Sequence, residues 1–184
     1  VQPTGRQQRW YEKRPKVNWA VHVMENMPFE AQTVIASFGS ALLDRDRNKY
    51  DFLHVTKSLG HDKVLSLHKS KRKARIYDKN PAFHNLMNDW MLLQEEGQDY
   101  LASEISYVLN WVLRYFKVCK MAEIKSKVSY IQEITSRYFS EGALAAEAFV
   151  LQVEENYTNI AKLHVDVCLV ERNKEIVMHK HLAG

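Results

Sequence analysis

The chain reads as all-α: a mainly helical, multi-helix bundle of about six to seven helices, with a small C-terminal β-hairpin as one way to finish it. Three observations carry that expectation. Apolar residues recur at three-and-four spacing almost without interruption from about Pro81 to about Leu163. Six glycines and four prolines in 184 residues leave little turn-forming material, which favours long elements over a many-stranded sandwich. Hydrophobic residues at 46% and charged residues at 26% are the balance of a folded chain long enough to bury a core.

Residues 1–14 form a polar, basic arm, in which Arg6, Arg9, Lys13 and Arg14 surround Trp10 and Tyr11; a single helical domain takes up 15–184. Pro15 suits the first turn of a helix, where its missing N–H costs nothing. Val17, Ala20, Val21, Met24 and Met27 then share one face. After Pro28, the stripe Ala31, Val34, Ile35, Phe38, Ala41, Leu42 makes a second helix that stops in the charged loop Asp44–Lys49, so the two read as a helical hairpin. Phe52, Leu53, Val55 and Leu59 predict a short helix ended by Gly60, and Val64, Leu65 and Leu67 another. Asn80-Pro81 is a cap followed by proline at the first helical position, opening a helix through Phe83, Leu86, Met87, Trp90 and Leu93 to a stop at Gly97.

Asp99 begins the next segment, with Leu101, Ile105, Val108, Leu109, Val112, Phe116 and Cys119 on one stripe and Tyr107, Trp111 and Tyr115 in a second row. Two apolar faces predict a central helix. Met121, Ile124, Val128, Ile131, Ile134 and Tyr138 continue the rhythm to a turn at Ser140-Glu141-Gly142. A last helix runs through Leu144, Ala148, Leu151, Val153, Tyr157 and Ile160, and its glutamates can complement the basic middle of the chain. Residues 164–178 alternate with period two around a turn-like Glu171–Lys174, which suits a hairpin, while Val165, Leu169, Arg172 and Ile176 also keep a helical register.

Cys119 and Cys168 sit among apolar neighbours and read as buried thiols in a reducing compartment, not as a bridge or a metal pair. No stretch reaches the ~18 apolar residues of a membrane span. Val1–Gly5 carries no apolar leader, so the expected location is the cytoplasm and no membrane partner is expected. Cofactors are not called for. No glycine-rich phosphate loop, dinucleotide fingerprint or nucleophile elbow occurs; Gly39 and Ser40 lie inside a helix pattern.

Two constellations carry chemistry. His68-Lys69-Ser70-Lys71-Arg72-Lys73-Ala74-Arg75 places Lys69, Lys71, Arg72, Lys73 and Arg75 within seven residues, with no acid until Asp78. Such a run can neutralise several phosphates and release their counterions. Arg6, Arg9, Lys13, Arg14 and Lys16 form a second cluster, and Trp10, Tyr11 and Tyr77 at the edges would stack on unpaired bases. A short basic loop is most often simply solvated, and in a eukaryotic protein it can serve as a localisation signal. The second constellation is the dipeptide His61-Asp62. It resembles the metal-dependent phosphohydrolases named for their His…His-Asp…Asp pattern. The resemblance implies His61 and Asp62 as metal ligands, His22 or His54 upstream, Asp99 or Asp166 as the distal carboxylate, and metal-activated water attacking phosphate. The apolar lead-in and the Gly-Lys after the pair are missing from Ser58–Val64. His54, His61 and His68 recur every seven residues, but on one helix they would stand ~10.5 Å apart, too far for one ion.

The sequence therefore leans towards a non-enzymatic helical binding or scaffolding protein that acts through protein or nucleic-acid contacts, with Lys69–Arg75 as the candidate run for phosphates. A His-Asp phosphohydrolase is the alternative. A homo-oligomeric scaffold, using the Tyr107–Trp111–Tyr115 row, is the third reading. A protein partner or self-association is expected in either non-enzymatic case.

Overall fold

The computed structural model describes residues 8–67, 76–118, 124–156 and 158. They form eight α-helices and no named strand, an all-α multi-helix bundle. The helices are α1 (Pro15–Glu25), α2 (Phe29–Arg45), α3 (His54–Leu59), α4 (His61–Leu67), α5 (Pro81–Met91), α6 (Glu95–Val118), α7 (Ile124–Glu141) and α8 (143–156). Two 3-10 turns, Trp10–Lys13 and Ile76–Lys79, precede α1 and α5. The expected C-terminal hairpin at 164–178, both cysteines and the whole of Lys69–Arg75 lie outside the described residues.

The core is built from the stripes that periodicity marks. Val17, Ala20, Val21 and Met24 of α1 are buried, as are Ile35, Phe38 and Leu42 of α2, and Phe83, Leu86, Met87 and Trp90 of α5. Leu101, Ile105, Val108, Leu109 and Val112 give α6 a fully buried seam. This helix touches α1, α2, α5 and α7, which is why a second apolar face is useful to it. Trp90, fully buried, donates its indole N–H to the Gln98 carbonyl at 3.0 Å, satisfying the one polar atom of the largest core side chain. Gly39 allows the closest approach: a Cβ there would meet Leu86 and Ile105 methyls at 3.0 Å. Glycine at this helix position thus leaves room for the Leu86 and Ile105 methyls that pack on α2 from α5 and α6.

Several expectations need correction. The first two helices are not a mutually packed hairpin; α1 lies chiefly on α6, whereas α2 lies on α5 and α7. The α5 helix stops at Met91 and not at Gly97, which is already inside α6. The cause is a tertiary pairing: Leu53 N–H donates to Leu92 O at 2.9 Å and Gln94 N–H to Asp51 O at 2.8 Å around an isolated Phe52–Leu93 bridge. Those bonds pull the chain out of helical geometry, and Gln98 turns back to cap the Leu93 carbonyl at 3.1 Å. Phe52 consequently belongs to this bridge and not to α3.

The last helix is rotated from its expected register. Ala146 and Val150 are fully buried, while Leu144 is 81% exposed and Leu151 43%. Ala146 and Val150 thus form the inner face of α8, and Phe149 stacks on Tyr130 of α7 at 5.1 Å. Its acidic residue Glu154 pairs with Arg114 of α6, with Nη2 to Oε2 at 2.7 Å, while the basic middle of the chain lies outside the described residues. Gly142 ends α7 at φ +95°, donating its N–H to Tyr138 O at 3.1 Å, which is the left-handed stop expected of the Ser140-Glu141-Gly142 turn.

Candidate nucleic-acid interface

The basic run connects α4 to the 3-10 turn Ile76–Lys79, and both of its described flanks are informative. On one side α3 and α4 are separated by Gly60 at φ +82°, which ends the first helix and turns the chain into the second. This pair of short helices packs mainly on itself. It leaves Leu53, Val55, Leu59 and Leu67 exposed, the last at 68%. Thr56 and Val64 are its buried members. His61 rests on the Phe52 ring at 5.0 Å and approaches Asp89 of α5, Nδ1 to Oδ1 at 3.7 Å. Burial holds the Asp89 carboxyl above its usual range, with His61 pulling the other way.

On the other side, Tyr77 is 2% exposed and packs on Phe83 at 5.7 Å. Asn80 follows, 1% exposed. Its Oδ1 accepts the Ala82 and Phe83 N–H groups at 3.1 and 3.3 Å, the N-cap that the sequence announces. Its Nδ2 reaches across to α2, donating to Phe29 O at 3.1 Å and to Thr33 Oγ1 at 3.0 Å, with Gln32 Oε1 at 3.4 Å. One buried amide thus bolts the exit of the basic run to the start of two helices. Beside it, His84 Nδ1 faces Asp78 Oδ1 at 2.8 Å and its Nε2 meets Asn88 Nδ2 at 2.9 Å. Periodicity gave no hint of this Asp-His-Asn chain, because its members are separated by a turn and by one helical turn.

The aromatic residues expected to stack on bases are otherwise employed. Tyr11 is 3% exposed and Tyr77 2%, both within the core, and Trp10 packs edge-on against Tyr11 and Trp90. Two of the N-terminal cations are similarly committed. Arg14 donates to both Asp99 oxygens at 3.1 and 2.6 Å and reaches Glu95 at 2.8 Å. That fork pushes the guanidinium up and holds the Asp99 carboxyl below its usual range. Arg9 contacts Tyr11 and Glu25. Arg9 and Arg14 therefore tie the arm to the bundle, and the proposed second phosphate cluster loses both of them.

The metal constellation fares differently from residue to residue. His61 gains a carboxylate neighbour, but it is Asp89, which the resemblance did not nominate. Asp62 and His22 are exposed, His54 faces Ser58, and Asp99 is held by Arg14. Asp166 lies outside the described residues. Among the described residues no group of three or more His, Cys, Asp or Glu side chains gathers as metal ligands do. For the third reading, Tyr107 and Trp111 are half-buried; Tyr107 packs on Tyr138 at 5.7 Å and on Trp111 at 6.2 Å. Two members of the aromatic row thus serve the core. An open groove of about 450 Å³ between α2 and α7, lined by Thr33, Val34, Ser37, Thr135, Ser136 and Phe139 among others, presents hydroxyls over an apolar floor and no ionisable side chain.

No described helix is long and apolar enough to cross a membrane. No protein-family model matches this chain, and neither a curated protein nor a solved structure matches it.

Proposed function

We propose that this helical domain is a non-enzymatic binding module whose connection Lys69–Arg75 grips nucleic-acid phosphates. The supporting observation is the segregation of charge. The chain has 26 Lys and Arg against 22 Asp and Glu, a formal net of +4. Five of those cations lie in the run, so the remainder carries 21 against 22 and a net of about −1. The described body also pairs many of its own cations: Arg14 with Asp99, Arg45 and Lys49 with Asp46, Lys57 with Asp51, Arg114 with Glu154, Arg137 with Glu133. Lys69–Arg75 is the densest run of cations in the chain and holds no acid, which suits it to hold a polyanion at that place.

The test is oligonucleotide binding as a function of salt. Counterion release through five cations gives a slope of log K against log[salt] near −3.5 for single strands, or near −4.5 for duplex. Raising salt from 50 to 200 mM then weakens single-strand binding about 100-fold. Binding that ignores salt, or that survives replacement of Lys71, Arg72, Lys73 and Arg75 by Ala together, would reject the reading.

A further inference from the structure

We infer that the outer face of α8 seats in the groove between α2 and α7 of a second copy of this chain, making a reciprocal dimer. Two surfaces that the bundle leaves open support this pairing. The first is an apolar row on α8. Leu144, Ala148 and Leu151 recur at helical spacing on the side opposite the buried Ala146 and Val150, and all three are exposed, Leu144 at 81%. Single exposed leucines are ordinary, but these two share one face with an alanine between them. The second is the open groove of about 450 Å³, whose walls are consecutive turns of α2 from Thr33 to Ala41 and of α7 from Gln132 to Phe139.

The two surfaces agree in length, charge and hydrogen bonding. At 1.5 Å per residue the row from Leu144 to Leu151 is about 10 Å long, and the groove wall from Thr33 to Ala41 about 12 Å. Neither the row nor the groove lining holds an ionisable side chain, so closing one on the other strips no charge of its water. The groove hydroxyls do not depend on the guest. Thr33 Oγ1 donates to Phe29 O and Thr135 Oγ1 to Ile131 O, each at 3.0 Å, so an apolar occupant leaves neither proton unmatched. Ser37, Ala41 and Ser136 are small, which lets a third helix axis come as near as the usual 8–10 Å. A charged guest finds no counter-charge there; the guest that suits it is an uncharged helical row two turns long, and the chain itself carries one. Helix α7 borders both surfaces: it walls the groove, and its Tyr130 and Arg137 hold Phe149 of α8 elsewhere on its girth. Surfaces that flank one helix can both be used about a single twofold axis, so each copy gives a row and receives one, and the assembly closes at two.

Sedimentation velocity of the full chain over about a hundredfold range of concentration reads the association, and a concentration-dependent dimer is expected. Leu144→Ser with Leu151→Ser strips the row; Ser37→Arg with Ser136→Arg obstructs the groove. All four positions are exposed, so each variant is expected to fold, which circular dichroism and melting check. Each pair of substitutions is expected to weaken the dimer at least about 100-fold. Mixed together, the two variants retain one intact row and one intact groove, so they are expected to form a heterodimer tighter than either variant makes alone. That recovery also shows that both are folded. A monomer at every concentration overturns the inference. So does a dimer that survives either pair: one that needs the leucines but ignores the arginines joins row to row, and one that ignores both uses another surface. Loss in both variants without recovery on mixing overturns the pairing of row with groove.

Discussion

Asn80→Ala removes more than a helix cap, and the structure allows its cost to be worked out. The cap itself, two N–H groups of α5 accepted at 3.1 and 3.3 Å, contributes about 1 kcal/mol. The Nδ2 side donates to Phe29 O and Thr33 Oγ1 in a site 1% exposed, and buried hydrogen bonds of this kind contribute about 1 kcal/mol each. Phe29 O retains the Thr33 hydroxyl at 3.0 Å, so no carbonyl is wholly orphaned. The expected loss is about 2–4 kcal/mol, which for a chain of this size lowers Tm by roughly 5–15 °C. Asn80→Asp is the sharper variant. It keeps the cap acceptor at a helix N-terminus, where negative charge is favoured, but it faces Phe29 O and Gln32 Oε1 with no proton to give. Its stability should therefore be low at neutral pH and recover on acidification, as the buried carboxyl takes up a proton and can donate again. Urea denaturation of both variants at pH 7 and pH 4.5 measures this. If both unfold within about 0.5 kcal/mol of the parent at each pH, the amide is not a clamp between the starts of α2 and α5.

Two further outcomes are expected. Tyr50 is 4% exposed with a hydroxyl that finds no hydrogen-bond partner among the described residues, and burial raises its pKa. Tyr50→Phe is accordingly expected to be neutral or stabilising by up to about 1 kcal/mol, and a loss above about 2 kcal/mol in denaturant would reveal a polar contact of the hydroxyl. The carboxyls of Asp99 and Asp89 should respond to pH with opposite sign. Asp99 is held low by hydrogen bonds from Arg14, so its contribution is complete above the ordinary carboxylate range and fades as pH falls through its lowered folded value. Asp89 is held high by burial, so the folded state takes up its proton more readily than the unfolded chain does, and the stability this gives is lost as pH rises through its raised value. Asp99→Asn should then destabilise at pH 7 and Asp89→Asn should not; denaturant midpoints at pH 7 and pH 3.5 that move in the same direction for both would refute the assignment.

The fold class follows from local pattern, and the pattern holds where each helix buries one face. Val17 to Met24, Ile35 to Leu42 and Leu101 to Val112 are apolar at helical spacing because the neighbouring helices remove that side from water, so periodicity alone reveals them. Caps are equally local: Asn80-Pro81 and Gly142 announce a start and a stop with no help from distant residues. The short apolar helices α3 and α4 appear from the same rhythm and from Gly60. Their exposure does not, since Leu59 and Leu67 look like any core leucines until the packing around them is known.

The candidate interface divides along the same line. Charge is additive along a chain, so the concentration of five cations in Lys69–Arg75 is visible in the sequence and needs no fold to be recognised. Which aromatic is spent on packing, and which cation is already paired, depends on groups far apart in the chain: Arg14 with Asp99, Trp10 with Trp90. Helix content, helix caps and the site of excess charge were settled by sequence because each arises from residues within a few positions of one another. The register of α8, the end of α5 at Met91 and the exposure of Leu67 were decided by tertiary structure, because burial and hydrogen-bond partners are shared between segments that only folding brings together.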